Sequence, residues 1–506
     1  MAIAANNENK NLILIFIVAL SLRLLLFVAV TPWNDHVAKE IILTKEDAPY
    51  FHNTAILYTE NMPPIAVATK PLYTYFIALL YYLFGYKPYV IIIPQLIMGS
   101  ITCVFLYKIA RHIVDEKIAL FAGLFLAFEY SSILYANHLL GETMYIFLFI
   151  IHIYFLQKFL MGKNIRVLIY SAIFLGLSAN VKPLSLYFPI FLTWPFFLYF
   201  RSNLRRGILS FIVLVSVFLL TIIPWMTRNY VKAGEFAFSF DSGGKAIEWF
   251  TPNLMNIIKP VDTHRHTWTA EEKRMMVEEA EHPGMSIAEV VRKYKRKNGV
   301  TAIRLARWQK QFHEGTLSAD NFPIDRNRGY WGTEIQDQGI PITKRIINAI
   351  LADTKKYIGN TYRFFASLDS GSYPQILGLP VYRMDEKDWD KGLVHMVKVT
   401  IQEKTMIEWF FMCLSASVLL YLYSMSCYGI YVSLRKKEFI KIVLFISVIL
   451  LCTLPAVARF SSTVAPRYRI PIIPYLIILS CYGLAALKCR FRKSTTVEAQ
   501  TLDSTL

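Results

Sequence analysis

The sequence predicts an all-α polytopic membrane protein of about ten transmembrane helices, with a re-entrant or juxtamembrane helix and a large extracytoplasmic loop domain. Three observations predict it. Apolar runs of roughly twenty residues, the length that crosses a hydrocarbon core about 30 Å thick, recur along the chain. Of its 506 residues 55% are hydrophobic and only 18% charged, which excludes a soluble globular domain. Finally, clusters of Lys and Arg follow alternate runs, as cytoplasmic loops do.

In order, the runs lie near 12–31, 89–110, 118–136, 139–160, 166–181, 184–200, 207–226, 407–433, 439–458 and 470–487. The first contains Arg23 and lacks a small-residue cleavage site before Pro32, so it is expected to be a retained helix. The basic clusters are Arg111 with Lys117, Lys158 to Arg166, Arg201 to Arg206, Arg435 to Lys437, and Lys488 to Lys493. They all face the cytoplasm if Leu72 to Tyr86, an apolar stretch of only about fifteen residues, is re-entrant or interfacial. The same clusters explain the net charge of +18 without a nucleic-acid partner. Both termini are then cytoplasmic. The expected parts are a transmembrane module over 1–227 with a first outer loop at 32–88, a long outer loop at 228–405, further helices over 406–490, and a cytoplasmic tail at 491–506. The setting is the cell membrane, with the chemistry on its outer face. All six cysteines lie in or beside apolar segments, so no disulfide framework or zinc knuckle is implied.

That topology gathers ionisable residues at the outer face. The first loop holds Lys45 to His52 and then Thr69 to Tyr73; His138 and Glu142 lie at the turn after the third run; Lys182 ends the fifth. Arg228 follows the seventh run, and Arg459, Arg467 and Arg469 precede the tenth. Snorkelling to headgroups accounts for any one of these cations. A set drawn from several helix ends points to function, because ionisable groups at that depth are costly unless they pair or face a cavity.

The ordered stretches are Arg23; Asp47-Ala48-Pro49-Tyr50-Phe51-His52; Lys70-Pro71-Leu72-Tyr73; Leu140-Gly141-Glu142-Thr143; Leu177 to Pro183; Pro224 to Tyr230; and Pro466-Arg467-Tyr468-Arg469-Ile470-Pro471. Together they resemble the GT-C superfamily of polyprenyl-phosphate-sugar glycosyltransferases, in particular the bacterial branch related to protein O-mannosyltransferases and the lipid A aminoarabinose transferase. The likeness covers about 1–260 and 405–490. It implies transfer of a sugar from a polyprenyl-phosphate donor to a glycan, lipid or protein acceptor, by one inverting displacement, in contact with membrane lipids. By that resemblance Asp47 is the catalytic carboxylate that takes the acceptor's proton, with Glu46 as the competing candidate. An N-cap role for Asp47 ahead of Pro49 is the structural alternative. Lys70, Arg467 and Arg469 are the candidates to grip the donor phosphate, with Lys182 and Arg228 as second choices. Tyr50, His52, His138 and Glu142 are the candidates to hold sugar or acceptor. No cofactor is assigned; a divalent metal on Glu142, His138 and His52 is the alternative, though three scattered ligands without helical spacing make a poor metal signal. No Gly-rich phosphate loop is present, which disfavours a nucleotide-sugar donor. A lipid or polysaccharide transporter is the rival reading, but the charges gather at one face and no internal repeat is visible.

Within the long loop, 264–315 changes character. Thr269 to Lys273 opens a helix that Pro283-Gly284 breaks, a second helix runs Ile287 to Tyr294, and a third carries Ile303, Leu305, Trp308 and Phe312 beside Arg304, Arg307 and Lys310. This resembles the helix-turn-helix of insertion-sequence transposase accessory proteins. A membrane-tethered DNA-binding regulator follows only if the segment faces the cytoplasm, and the topology puts it outside. A lid or acceptor-docking element is the expectation there.

Overall fold

The computed structural model describes residues 2–43, 47–60, 70–233, 236–238, 269–282, 402–459 and 465–503, with shorter stretches between 289 and 398. Among them every regular element is a helix. We label α1 (Ala2–Val30), α2 (Ala48–Thr59), α3 (Pro71–Phe84), α4 (Tyr89–Ala110), α5 (Glu116–Phe128), α6 (Tyr130–Ala136), α7 (Glu142–Gly162), α8 (Ile165–Val181), α9 (Phe188–Tyr199) and α10 (Leu204–Ala233). After the long loop come α11 (Ala270–Glu281), α12 (Met406–Arg435), α13 (Val443–Arg459), α14 (Ala465–Arg469) and α15 (Ile473–Asp503). All ten apolar runs are helical. Six helices are long and apolar enough to cross a membrane, and α5 with α6 makes a seventh if the bent pair is one span. The protein is a multi-pass membrane protein.

Two features depart from a set of straight spans. The run 118–136 is broken at Glu129, where α5 and α6 meet at 51°. Glu129 takes an extended backbone, and its carboxylate accepts from the Ser131 and Ser132 amides at 3.1 and 2.7 Å. A carboxylate inside an apolar run thus becomes the N-cap of the next helix, which satisfies two amides that would otherwise have no partner. The short segment expected to be re-entrant is α3, 14 residues long, with Pro71 in its first turn. At about 1.5 Å per residue it is too short to cross the hydrocarbon.

The C-terminal helices are held by backbone proximity. Along α12 and α15, a Cβ on Gly429 would sit 2.5 Å from the Leu479 carbonyl, and one on Gly483 2.4 Å from that of Met425. Ser426 donates to the Leu476 carbonyl at 3.0 Å in the same contact. Small residues at such crossings let helices approach where lipid offers no hydrophobic drive. Gly483→Ala is expected to separate the pair and cost about 1–3 kcal/mol, read as a lower thermal midpoint in detergent; an unchanged midpoint would refute the close packing.

In the long loop, α11 is opened by a Thr269–Glu272 capping box and ends before Pro283, as its sequence predicts. Met276 and Val277 on α11, with Val290, Leu305 and Trp308 farther on, are buried. Lys273 lies 5.7 Å from the Trp308 ring. Most of the remaining loop lies outside the described residues, as do 61–69 of the first loop and the candidate Glu46.

Candidate active site

Asp47 occupies the N-cap position of α2, yet its side chain makes no capping bond. It turns to two cations instead: Lys70 Nζ donates to Oδ2 at 2.7 Å, and Arg467 Nη2 donates to the same oxygen at 2.9 Å. Lys70 immediately precedes α3, with its ammonium 5.1 Å from the Phe51 ring of α2. Burial pushes the Asp47 carboxyl up, but Lys70 and then Arg467 outweigh it, so the group lies below the usual carboxylate range. Its side chain is 42% exposed, which leaves the ionised carboxylate accessible.

Arg467 joins this pair to a second one. Its Nε donates to Glu142 Oε1 at 2.7 Å, and Lys182 Nζ reaches that oxygen at 3.0 Å. Glu142 opens α7 and Lys182 closes α8, so two helix ends and α14 converge there. With its side chain 2% exposed, Glu142 is a structural anion beside an accessible one. One guanidinium fork thus bridges two carboxylates 95 residues apart in sequence, a geometry a lysine cannot reproduce. The residues joined by these bridges carry three cations, Lys70, Lys182 and Arg467, against two carboxylates.

The other candidates fall around this core. His52 Nδ1 lies 2.7 Å from the Tyr81 hydroxyl, and burial lowers its basicity. Tyr50 is exposed and packs edge-on against Phe51. His138 is buried, with Nδ1 2.9 Å from the Leu134 carbonyl. Arg228 lies over the Trp225 ring at 5.1 Å, and Trp225 in turn meets Tyr75 of α3. Arg469 is buried and hydrogen-bonded to Tyr423 of α12. The described residues hold no group of three or more His, Cys, Asp or Glu side chains able to ligate one metal.

Some supporting residues were not singled out from the sequence. Gln95, fully buried in α4, accepts from the Tyr73 hydroxyl at 2.7 Å. Its amide donates to the carbonyls of Ala136 and His138 at 3.2 and 2.7 Å. It therefore pins α3 and the turn before Glu142 to a membrane helix. The signal was present: one amide side chain, beside Pro94, in an otherwise apolar run.

Among curated proteins no sequence matches this chain. Among solved structures it is similar to the apo oligosaccharyltransferase of Archaeoglobus fulgidus, at 13% identity and a TM-score of 0.49, over 98% of this chain and 52% of that one. The Archaeoglobus fulgidus enzyme AglB with an inhibitory peptide and a dolichol-phosphate matches at 12% identity and 0.47, over 97% and 52%. ArnT from Cupriavidus metallidurans bound to undecaprenyl phosphate matches at 14% and 0.37, over 94% and 77%. The chain spans about half the length of the oligosaccharyltransferases it resembles. Residues 64–227, the stretch that carries Lys70, Glu142 and Lys182, match the family of dolichyl-phosphate-mannose-protein mannosyltransferases, and over that stretch the resemblance to polyprenyl-phosphate-sugar glycosyltransferases is borne out.

Proposed function

We propose that this protein is a membrane glycosyltransferase that moves a sugar from a polyprenyl-phosphate donor to a lipid, glycan or protein acceptor at the extracytoplasmic face. The observation that carries the reading is the accessible Asp47 carboxylate 2.9 Å from Arg467 and 2.7 Å from Lys70, in a cluster with one surplus positive charge. A sugar phosphodiester carries one negative charge, so it neutralises that surplus. The family match over 64–227 supports the same donor class.

In the mechanism we infer, Asp47 accepts the proton of the acceptor hydroxyl as its oxygen attacks the anomeric carbon. The bond from that carbon to the phosphate oxygen breaks, configuration inverts, and polyprenyl phosphate departs. Lys70 and Arg467 meet the charge that grows on the leaving phosphate, which is where preorganised cations lower a barrier most. Glu142 and Lys182 hold Arg467 in place. Arg228, which lies over the Trp225 ring beside Tyr75, is the second candidate for the polyprenyl headgroup. The segment 264–315 is assigned to a lid or acceptor-docking role.

Donor binding also tunes the base. In the free protein, Lys70 and Arg467 hold Asp47 below the usual carboxylate range, which makes it a weak proton acceptor. A phosphate sharing those cations relaxes that hold and raises the carboxyl. The acid limb of kcat is therefore expected at higher pH than the acid limb of kcat/KM, since the first reports the donor complex and the second the free enzyme. Coincident limbs, or the opposite order, would remove this coupling. The function itself is tested by mass spectrometry of envelope glycolipids and glycoproteins with and without the protein: loss of one hexose or pentose from a defined acceptor is expected, and an unchanged profile rejects the assignment.

A further inference from the structure

The end of α7 away from Glu142 carries charge that the mechanism does not use. This helix has 21 residues, so at about 1.5 Å per residue its two ends lie about one hydrocarbon thickness apart. Two turns meet at the far end: Lys163 and Asn164 join α7 to α8, and residues 200–203 join α9 to α10. Lys163 fixes their contact. It closes α7 in the left-handed conformation, at φ 56°, a place more often filled by glycine. Its ammonium lies 4.1 Å from the centroid of the Phe200 ring, and Arg206 Nη2 donates to its carbonyl at 3.2 Å. Phe200 in turn packs on Gly207, where a Cβ would come within 2.6 Å of the Phe200 Cβ.

Arg166, Arg201 and Arg205 are exposed on the same two turns, which makes five cations with Lys163 and Arg206. No carboxylate answers them. Between 143 and 234 the chain has neither Asp nor Glu, and none of the five is in an ion pair among the described residues. Burial and then the Arg206 charge lower the Lys163 ammonium below its ordinary value, as they would for a cation without a counter-ion. The positive charge usual on one membrane face does not account for this, because other basic turns at this end of the bundle hold carboxylates. Arg111 pairs with Glu8 at 2.6 Å, Lys441 with Glu438 at 2.9 Å, and Lys488 approaches Asp115 at 3.8 Å. Apolar side chains flank the uncompensated cations: Met161, Ile165, Ile208 and Leu209 are all exposed. An occupant must therefore bring anionic oxygens at the membrane surface and apolar chains just below them. A phospholipid with two phosphates meets both demands, and basic pockets between membrane helices take such headgroups.

We propose that these two turns bind a diphosphate anionic phospholipid, with Lys163 and Arg206 on one phosphate and the neighbouring arginines on the other. The site is separate from the Asp47 centre and does not depend on the donor assignment. Its test uses the delipidated full-length protein in a non-ionic detergent and native mass spectrometry with tetraoleoyl cardiolipin, dioleoylphosphatidylglycerol and dioleoylphosphatidylcholine. One cardiolipin per chain should bind about tenfold more tightly than either single-phosphate lipid. Two variants then probe the turns. Lys163→Gly removes the ammonium and suits the left-handed backbone, so it should fold at least as well as the wild type. Arg201→Gln/Arg205→Gln changes only exposed side chains. Each should weaken cardiolipin binding about fivefold or more, the factor that one cation beside an anionic phosphate contributes. As a control, Arg435→Gln/Lys436→Gln removes two cations from another basic turn and should leave binding within about twofold. Loss in either site variant with the control unmoved supports the site. It is rejected if the single-phosphate lipids bind as tightly as cardiolipin, if neither site variant weakens it, or if the control loses as much, as it would were net charge the only attraction. Displacement of bound cardiolipin by an equal concentration of a polyglutamate peptide would assign the turns to an acidic protein segment and overturn the lipid.

Discussion

Asp47→Asn is expected to lower glycosyl transfer by at least about 10³-fold while the protein still inserts in the membrane and binds its donor. Loss of a positioned base alone is worth about 10²–10⁴. Here the amide also removes the anion that holds Lys70 and Arg467 in their observed places at 2.7 and 2.9 Å. Donor binding should survive and even tighten, because the cations no longer share their charge with a carboxylate. Fold disruption is not expected: Asp47 makes no capping bond to α2, and its side chain is 42% exposed. A purified Asp47→Asn protein that turns over at a rate near wild type would remove this carboxylate from the mechanism.

The second large effect concerns Arg467, whose side chain is 8% exposed and bridges Glu142 and Asp47. Arg467→Met leaves Glu142, buried and ionised, with Lys182 alone. Removing one partner of a buried pair typically costs about 3–5 kcal/mol. A clear fall in thermal midpoint is expected together with loss of activity. Two further variants separate the roles. Arg467→Lys keeps the charge but offers its donors from one nitrogen, without the planar spread of Nε and Nη2, so it should retain much of the stability and lose at least about 10²-fold in rate, the scale set by one lost charge-stabilising donor. The double variant Arg467→Met/Glu142→Gln should recover only part of the stability, since Lys182 then loses its carboxylate partner, and should not recover transfer. A lysine variant within threefold of wild-type activity would show that the bridge is not needed.

Much of this arrangement was legible before the structure, for a definable reason. Apolar run length and the alternation of basic clusters are local properties, and they located the ten helical segments and the short α3. Positive charge at alternate loops then put the first loop and the entry to the last helix on one side, which is why Asp47, Lys70 and Arg467 could be grouped at all. What could not be read was rotation about each helix axis. Arg467 and Arg469 are two residues apart on α14, and such neighbours point away from each other on a helix. Arg467 turns to the two carboxylates, and Arg469 turns to Tyr423 of α12. Resemblance gave them one role, and helical phase separates their surroundings. Glu129 was hidden differently. Length alone makes 118–136 a single span, and only the capping of Ser131 and Ser132 explains the bend.

The hydrogen bond between Arg467 and Asp47 crosses 420 positions of sequence. During synthesis the ribosome delivers the aspartate early and its guanidinium partner only with the last apolar segment, so the nascent polypeptide holds an unfinished catalytic centre through most of its insertion. A truncation before residue 465 would leave an N-terminal bundle in the bilayer that carries the carboxylate but lacks the bridge, and such a fragment should be inert until the missing C-terminal piece is supplied in trans.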